Sequence, residues 1–177
     1  MTTYTMNHDL SLEKTKKAAE QGDADAQYEL ARMYECGQGA SQNDQQAVLW
    51  YRGAAEQGHI NAQYMLGRMY IQGLGVPQDY AQAVSWYRKA AAQGSAIAQN
   101  NLGLVYGSGL GVPQDSIVAY ALFNLSATED PSSDNSATNN RGTLAARMPP
   151  EQIAAGQELS RRMMKVGVLE AIDSLMW

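Results

Sequence analysis

Two short strings carry the residue types of a serine acyl-transfer site. Ser11-Leu12-Glu13-Lys14 sets a hydroxyl nucleophile and an amine one helical turn apart, and Ser133-Asp134-Asn135 follows in the chain order such sites use. The third element, Lys-Thr-Gly, is absent; the nearest string is Lys14-Thr15-Lys16. In a working site of this type the nucleophile opens a buried helix and the motifs converge from a mixed α/β fold. Here Ser11 is expected to begin a surface terminal helix as a capping hydroxyl, and Ser133 to sit in a loop. Neither His8 nor His59 has a Ser, Cys or carboxylate that a helix would bring into a nucleophile–base arrangement. The single cysteine, Cys36, excludes an intramolecular disulfide and a multi-cysteine metal site, and two histidines leave metal ligation short of donors. The reading is no catalytic residue, no metal and no enzyme.

Composition narrows the remaining classes. Lys and Arg total 13 against 18 Asp and Glu, a net charge of -5, which argues against nucleic acid as the partner. No apolar run approaches the roughly 20 residues of a membrane span, and MTTYTMNHDL lacks the basic and apolar parts of a leader. A soluble, cytoplasmic protein with no membrane partner is the expectation. Hydrophobic residues make up 45%, enough for a core, but much of that share is Ala, so a thick, Phe- and Ile-rich core is not expected.

The elements that position these residues follow from an internal repeat. Ala18-Ala19-Glu20-Gln21-Gly22, Ala54-Ala55-Glu56-Gln57-Gly58 and Ala90-Ala91-Ala92-Gln93-Gly94 are each 36 residues apart. The same offset links Gln27, Gln63 and Gln99, then Tyr34, Tyr70 and Tyr106, then Trp50, Trp86 and Leu122. GLGVPQD occurs at 73–79 and again at 109–115. Each unit holds two helical patterns divided by glycines. Ala62, Leu66 and Tyr70 recur at four-residue spacing, which predicts a helix from about Ile60 to Gln72. Gly73 supplies its left-handed end and Gly75 a second permissive position, while Asn43, Asp79 and Asp115 are capping types at the next helix start. The second helix carries Ala83, Trp86, Tyr87, Ala90 and Ala91 at helical spacing and ends at Gly94. Alternating aromatics and alanines suit close stacking, so Trp50 and Trp86 are read as core. His59 stands where the other copies have Asp23 and Ser95, which makes it a solvated helix-end residue. Cys36, matched by Gln72 and Ser108, is read as a partly exposed thiol, with an oxidation-sensitive dimer contact left open.

The string AEQGHINAQYMLGRMYIQGLGVPQDYAQAVSWYRKA resembles the Sel-one-like repeat, a relative of the tetratricopeptide repeat, which runs to about 34 residues. The resemblance is close over 18–125 and loose over the rest of 10–165. It implies an all-α fold, a right-handed α/α superhelical solenoid of stacked antiparallel helix pairs, acting as a non-catalytic adaptor or scaffold for other proteins, often bacterial, without a cofactor. On it the chain divides into a half-repeat cap at 10–22, repeats at 23–58, 59–94 and 95–130, a degenerate capping hairpin at 131–166 and an amphipathic tail at 167–177, together one domain. Some cysteine-rich relatives are described as binding or cleaving penicillins; their repeats are stapled by cysteine pairs, which this chain lacks, so that hydrolase alternative does not carry over. The first loop, CGQGASQN, has Ala40 and Ser41 in place of Val and Pro and is expected to be less rigid. Thr128 to Asn140, poor in apolar anchors, reads as a loop, after which Leu144, Ala145 and Met148 start the degenerate hairpin and Pro149-Pro150 begins a helix with Ile153, Leu159 and Met163 as its apolar positions.

If the first helices line the concave surface, as in related solenoids, then fixing 26, 30 and 34 inward places 28, 32 and 35 opposite. That column is Tyr28, Arg32 and Glu35, then Tyr64, Arg68 and Ile71, then Asn100, Leu104 and Gly107. Two tyrosines beside two arginines suit a protein or peptide partner bearing a carboxylate, because Arg forks onto carboxylates and Tyr offers rigid area. Packing of Tyr28 and Tyr64 between repeats is the equal alternative. The tail places Val168, Leu169, Ile172, Leu175, Met176 and Trp177 on one stripe. It docks on its own last hairpin as a lid, or else on another chain, so the protein is a monomer or a weak homodimer through 168–177.

Overall fold

The computed structural model describes residues 2–129 and 136–175, with side chains from residue 11 onward. Every regular element among them is a helix. Two compact units, Met1–Asp79 and Tyr80–Trp177, are taken in turn.

The first unit holds α1 (Thr2–Glu20), α2 (Ala24–Cys36), α3 (Asp44–Glu56) and α4 (Ile60–Gln72), each packed on the next. The expected bounds of α4 are met. Local chemistry sets these ends. Asp23, Asn43 and His59 cap α2, α3 and α4 by accepting the backbone N–H groups of Ala26, Gln46 and Ala62 at 2.9, 3.0 and 3.1 Å. Gly37 and Gly73 end α2 and α4 in the left-handed region at φ 67° and 69°. Gly75 answers a different need: with φ 69°, a Cβ there would lie 2.3 Å from the Asp44 carbonyl oxygen, so the loop lies directly on the start of α3. Ser11 lies within α1, and is exposed, instead of opening a helix.

The second unit holds α5 (Tyr80–Ala92), α6 (Ala96–Ser108), α7 (Ser116–Glu129), α8 (Ser136–Ala145), α9 (Pro150–Val166) and α10 (Val168–Asp173). Helix α6 packs between α5 and α7, and α7 also carries α8 and α9. Asp115 caps α7 through the N–H groups of Ile117 and Val118 at 2.9 and 3.0 Å. Ala98, Leu102 and Tyr106 form the buried face of α6 that the spacing indicates. Two readings change here. Ser136 to Asn140, taken as loop, forms the start of α8, and Leu144 and Ala145 end that helix instead of starting it. Its polar sequence is held by tertiary contact: Ala137 is fully buried and Asn140 Nδ2 donates to Asn100 Oδ1 at 2.9 Å. Ser133, Asp134 and Asn135 lie outside the described residues.

The recurring glutamine has a structural cause. Gln27 and Gln63 each donate Nε2 to the carbonyl of Ala19 and Ala55 at 3.1 Å, and Gln99 to that of Ala91 at 3.4 Å. The start of each first helix is thereby tied to the end of the helix before it. Arginines repeat the idea, Arg52 donating to Tyr70 Oη at 2.8 Å and Arg88 to Tyr106 Oη at 3.1 Å. Of the two tryptophans read as core, Trp86 is buried, whereas Trp50 is only half-buried.

The tail folds back on its own chain. Val168, Ala171 and Ile172 are buried, and α10 packs on both α9 and α5, where Asp173 forms an ion pair with Arg88. Burial alone would lower the Arg88 pKa, but the hydrogen bonds Arg88 donates to the Asp173 carboxylate and the Tyr106 hydroxyl, with the Asp173 charge, outweigh it and raise the pKa. Leu169 is half-buried and Leu175 exposed; Met176 and Trp177 lie outside the described residues.

Candidate functional site

Helices α2 and α4 carry the expected column in the first unit. Leu30 and Leu66 point into the core, so Tyr28, Arg32 and Glu35 on α2, and Tyr64, Arg68 and Ile71 on α4, are turned away from it. Their availability differs. Arg32 is exposed, pairs with Glu29 at 3.4 Å and lies 6.0 Å over the Tyr28 ring. The Glu29 carboxylate, and then Tyr28, raise its pKa. Tyr28 is half-buried and stacked on His59, with ring centroids 4.5 Å apart and planes at 21°, and it tilts against Tyr51 at 5.7 Å. Burial raises its pKa. His59 is thus covered by a ring as well as capping a helix, with Nε2 3.4 Å from the exposed Asp25 carboxylate. Because Nδ1 accepts the Ala62 N–H, the neutral ring carries its proton on Nε2, facing that carboxylate.

Glu35 is already engaged. Its side chain is only 15% exposed, accepts the Tyr51 hydroxyl at 2.7 Å and forms an ion pair with Arg68. Burial and the Glu35 carboxylate both push the Tyr51 pKa far up, so Tyr51 stays a donor. The carboxylate therefore positions Arg68. Arg68 is half-buried, with its Nε enclosed and without a hydrogen-bond partner. Tyr64 and Ile71 are half-buried.

In the second unit the column divides. Asn100 is 7% exposed and bonded to Asn140, which removes it from any docking face, whereas Leu104 is 45% exposed. Sequence reasoning missed Tyr51 and the sixteen-residue link from it to Glu35. The signal was partial: 72 residues on, Gly107 and Phe123 take the places of Glu35 and Tyr51, but 36 residues on Ile71 replaces Glu35 while Tyr87 keeps the hydroxyl, so the repeat alone does not pair the two.

Among the described residues no group of three His, Cys, Asp or Glu side chains could hold a metal ion. A cavity of about 360 Å³ between α7 and α9, lined by Ile117, Leu159 and Leu175 with Asp115, Glu158 and Arg162, contains no serine, cysteine or histidine. Ser11 and Lys14 are both exposed on α1, and Cys36 is an exposed free thiol at the end of α2. No described helix is long and apolar enough to cross a membrane.

Comparison with known proteins gives a consistent result. A family profile described as the Sel1 repeat matches residues 24–59, 60–95 and 96–131. Among solved structures, a Sel1 repeat protein from Oxalobacter formigenes is 40% identical with a TM-score of 0.66, over 68% of this chain and 50% of that one. A protective antigen present in uropathogenic Escherichia coli strains, displaying an SLR fold, is 32% identical with a TM-score of 0.58, over 93% of this chain and 43% of that one. Cysteine rich protein B of Helicobacter pylori is 27% identical with a TM-score of 0.55, over 72% of this chain and 95% of that one. The chain thus spans half or less of the length of the first two. No match is found among curated proteins. The all-α class and the repeat of about 36 residues are those of these solenoid structures. Proteins built from such repeats are generally scaffolds for protein interaction and typically not enzymes.

Proposed function

Because the chain belongs to the Sel1 repeat family, we propose that it is a non-catalytic adaptor that holds a protein or peptide partner on the α2–α4 face, with α1 and the last hairpin as end caps. The observation that carries this reading is the paired use of Glu35. By accepting from both Tyr51 and Arg68 it holds a half-exposed guanidinium in one place, next to the exposed Arg32 and the half-exposed rings of Tyr28 and Tyr64. A face ordered before binding loses less side-chain entropy on association. Tyr28, Arg32, Tyr64, Arg68 and Ile71 are its contact residues. Glu35 acts as a positioning residue behind them. A partner carboxylate is favoured at Arg32, whose 3.4 Å pairing with exposed Glu29 is weak enough to exchange.

Affinity purification from the source cell with the parent and with Arg32→Glu and Tyr64→Ala variants tests the face. A partner present with the parent and lost with both variants supports it; identical partners from all three overturn it. Because the tail docks on its own α5 and α9, the monomer is the favoured state of this reading, and light scattering on the purified chain reads that directly.

A further inference from the structure

The glutamine tie between successive helices is two-sided in the first unit. Gln27 donates Nε2 to the Ala19 carbonyl at 3.1 Å, and its Oε1 accepts from Gln57 Nε2 at 2.8 Å. In the second unit, 72 residues on, Gln99, Ala91 and Glu129 occupy the places of Gln27, Ala19 and Gln57. The third partner has changed from an amide to a carboxylate. Gln99 Nε2 now serves both neighbours, Glu129 Oε2 at 3.0 Å and the Ala91 carbonyl at a stretched 3.4 Å. Its Oε1 is buried with no hydrogen-bond partner in a side chain only 1% exposed. An ionised carboxylate has no proton to give, so it competes for the amide N–H and leaves the amide oxygen orphaned. A buried acceptor in that state is disfavoured.

We propose that Glu129 is an acid-responsive clasp: when its carboxylate takes up one proton from solvent, the resulting O–H donates to Gln99 Oε1 and restores the two-sided pairing that Gln57 gives Gln27. Glu129 is exposed as a residue, but its carboxylate lies against the buried Gln99 amide, and the desolvation there raises its pKa from the ordinary value, against the opposing Gln99 hydrogen bond. Most charged groups on the surrounding elements have other partners. Helix α6 carries none; Arg141 of α8 donates to Asn124 Oδ1 at 2.7 Å; on α5, Lys89 lies over Trp86 and Arg88 pairs with Asp173. On α9, Glu158 pairs with Arg161 and Arg162 reaches Ser174, while Glu151 and Lys165 stand at its two ends. With the folded pKa raised, the stabilisation is complete below the ordinary Glu value and is lost as pH rises through the folded pKa. At neutral pH the third repeat therefore carries the weaker tie.

Thermal melts of the full chain with Glu129→Gln, which installs the residue the other repeats carry, test the clasp between pH 4 and 8. The variant is expected to melt about 2 to 4 °C above the parent at pH 7, with the gap closing toward pH 4. In a Gln99→Met background, which removes the orphaned oxygen, the gain is expected to vanish. A variant melting with or below the parent at pH 7, a gap independent of pH, or a gain that survives Gln99→Met overturns the proposal. Carboxyl carbon-13 NMR, with Glu129 assigned by its loss in the variant, gives a second reading. A midpoint above that of a free Glu supports the clasp, and one at or below it overturns it.

Discussion

Replacing Tyr51 with Phe isolates the hydrogen bond that orders the α2–α4 face. Tyr51 is fully buried, and its ring contact with Tyr28 at 5.7 Å survives in Phe, so the change removes one hydroxyl and little packing. That hydroxyl donates to Glu35 at 2.7 Å, a bond to a charged acceptor worth about 1.5–3 kcal/mol. Glu35 keeps Arg68 after the change, so the acceptor is not orphaned and the lower end applies, about 1.5 kcal/mol. With a urea dependence of about 1–3 kcal/mol per molar, the unfolding midpoint should fall by about 0.5–1.5 M at unchanged slope. Urea titration followed by tryptophan fluorescence reads this. In a Glu35→Met background, which removes the acceptor, the same substitution should cost much less, since the two residues form one interaction. A Tyr51→Phe midpoint equal to the parent's, or an undiminished cost in that background, refutes the reasoning.

Four further outcomes follow from the geometry. Gly103→Ala should destabilise by about 1–2 kcal/mol despite better helix propensity, because its Cβ would lie 2.6 Å from Phe123 Cε1; partial recovery with Phe123→Leu checks the cause. Asp115→Ala should cost about 1–2 kcal/mol and Asn43→Ala about 1 kcal/mol in chemical denaturation, since Asp115 caps two N–H groups and Asn43 one. Asp173→Ala should lower global stability by less than about 1 kcal/mol, the pair being half-exposed on one side, yet speed hydrogen exchange of the α10 amides. Trp86→Ala should cost about 3–5 kcal/mol and half-buried Trp50→Ala clearly less in the same melts.

Much of the fold was legible because its rules are local. A cap needs a side-chain acceptor within three residues, a helix end needs a permissive residue at one position, and the inward face needs a four-residue spacing. Asn43, Gly73 and the row Ala62, Leu66 and Tyr70 satisfy those rules without help from distant parts of the chain. The candidate column was legible as a face but not as a set of available groups. Asn100 looked equivalent to Tyr64 and Tyr28 until Asn140, forty residues on, covered it. His59 looked solvated until Tyr28 stacked on it. Helix α8 is the sharpest case, since its composition favours a loop and only its contacts with α6 and α7 make it pay as a helix.

The amino-acid sequence alone determined the period, the bounds of the repeat helix from Ile60 to Gln72, most of the caps and the all-α family, since each follows from residues within one turn or one 36-residue step. Tertiary structure alone decided which polar side chains are already taken. Glu35 belongs to Tyr51 and Arg68, Gln99 is left with an orphaned oxygen by Glu129, and Asp173 reaches back to Arg88. Partner choice in such groups depends on which helices come together in space and how much water they exclude, and neither quantity is encoded in local spacing.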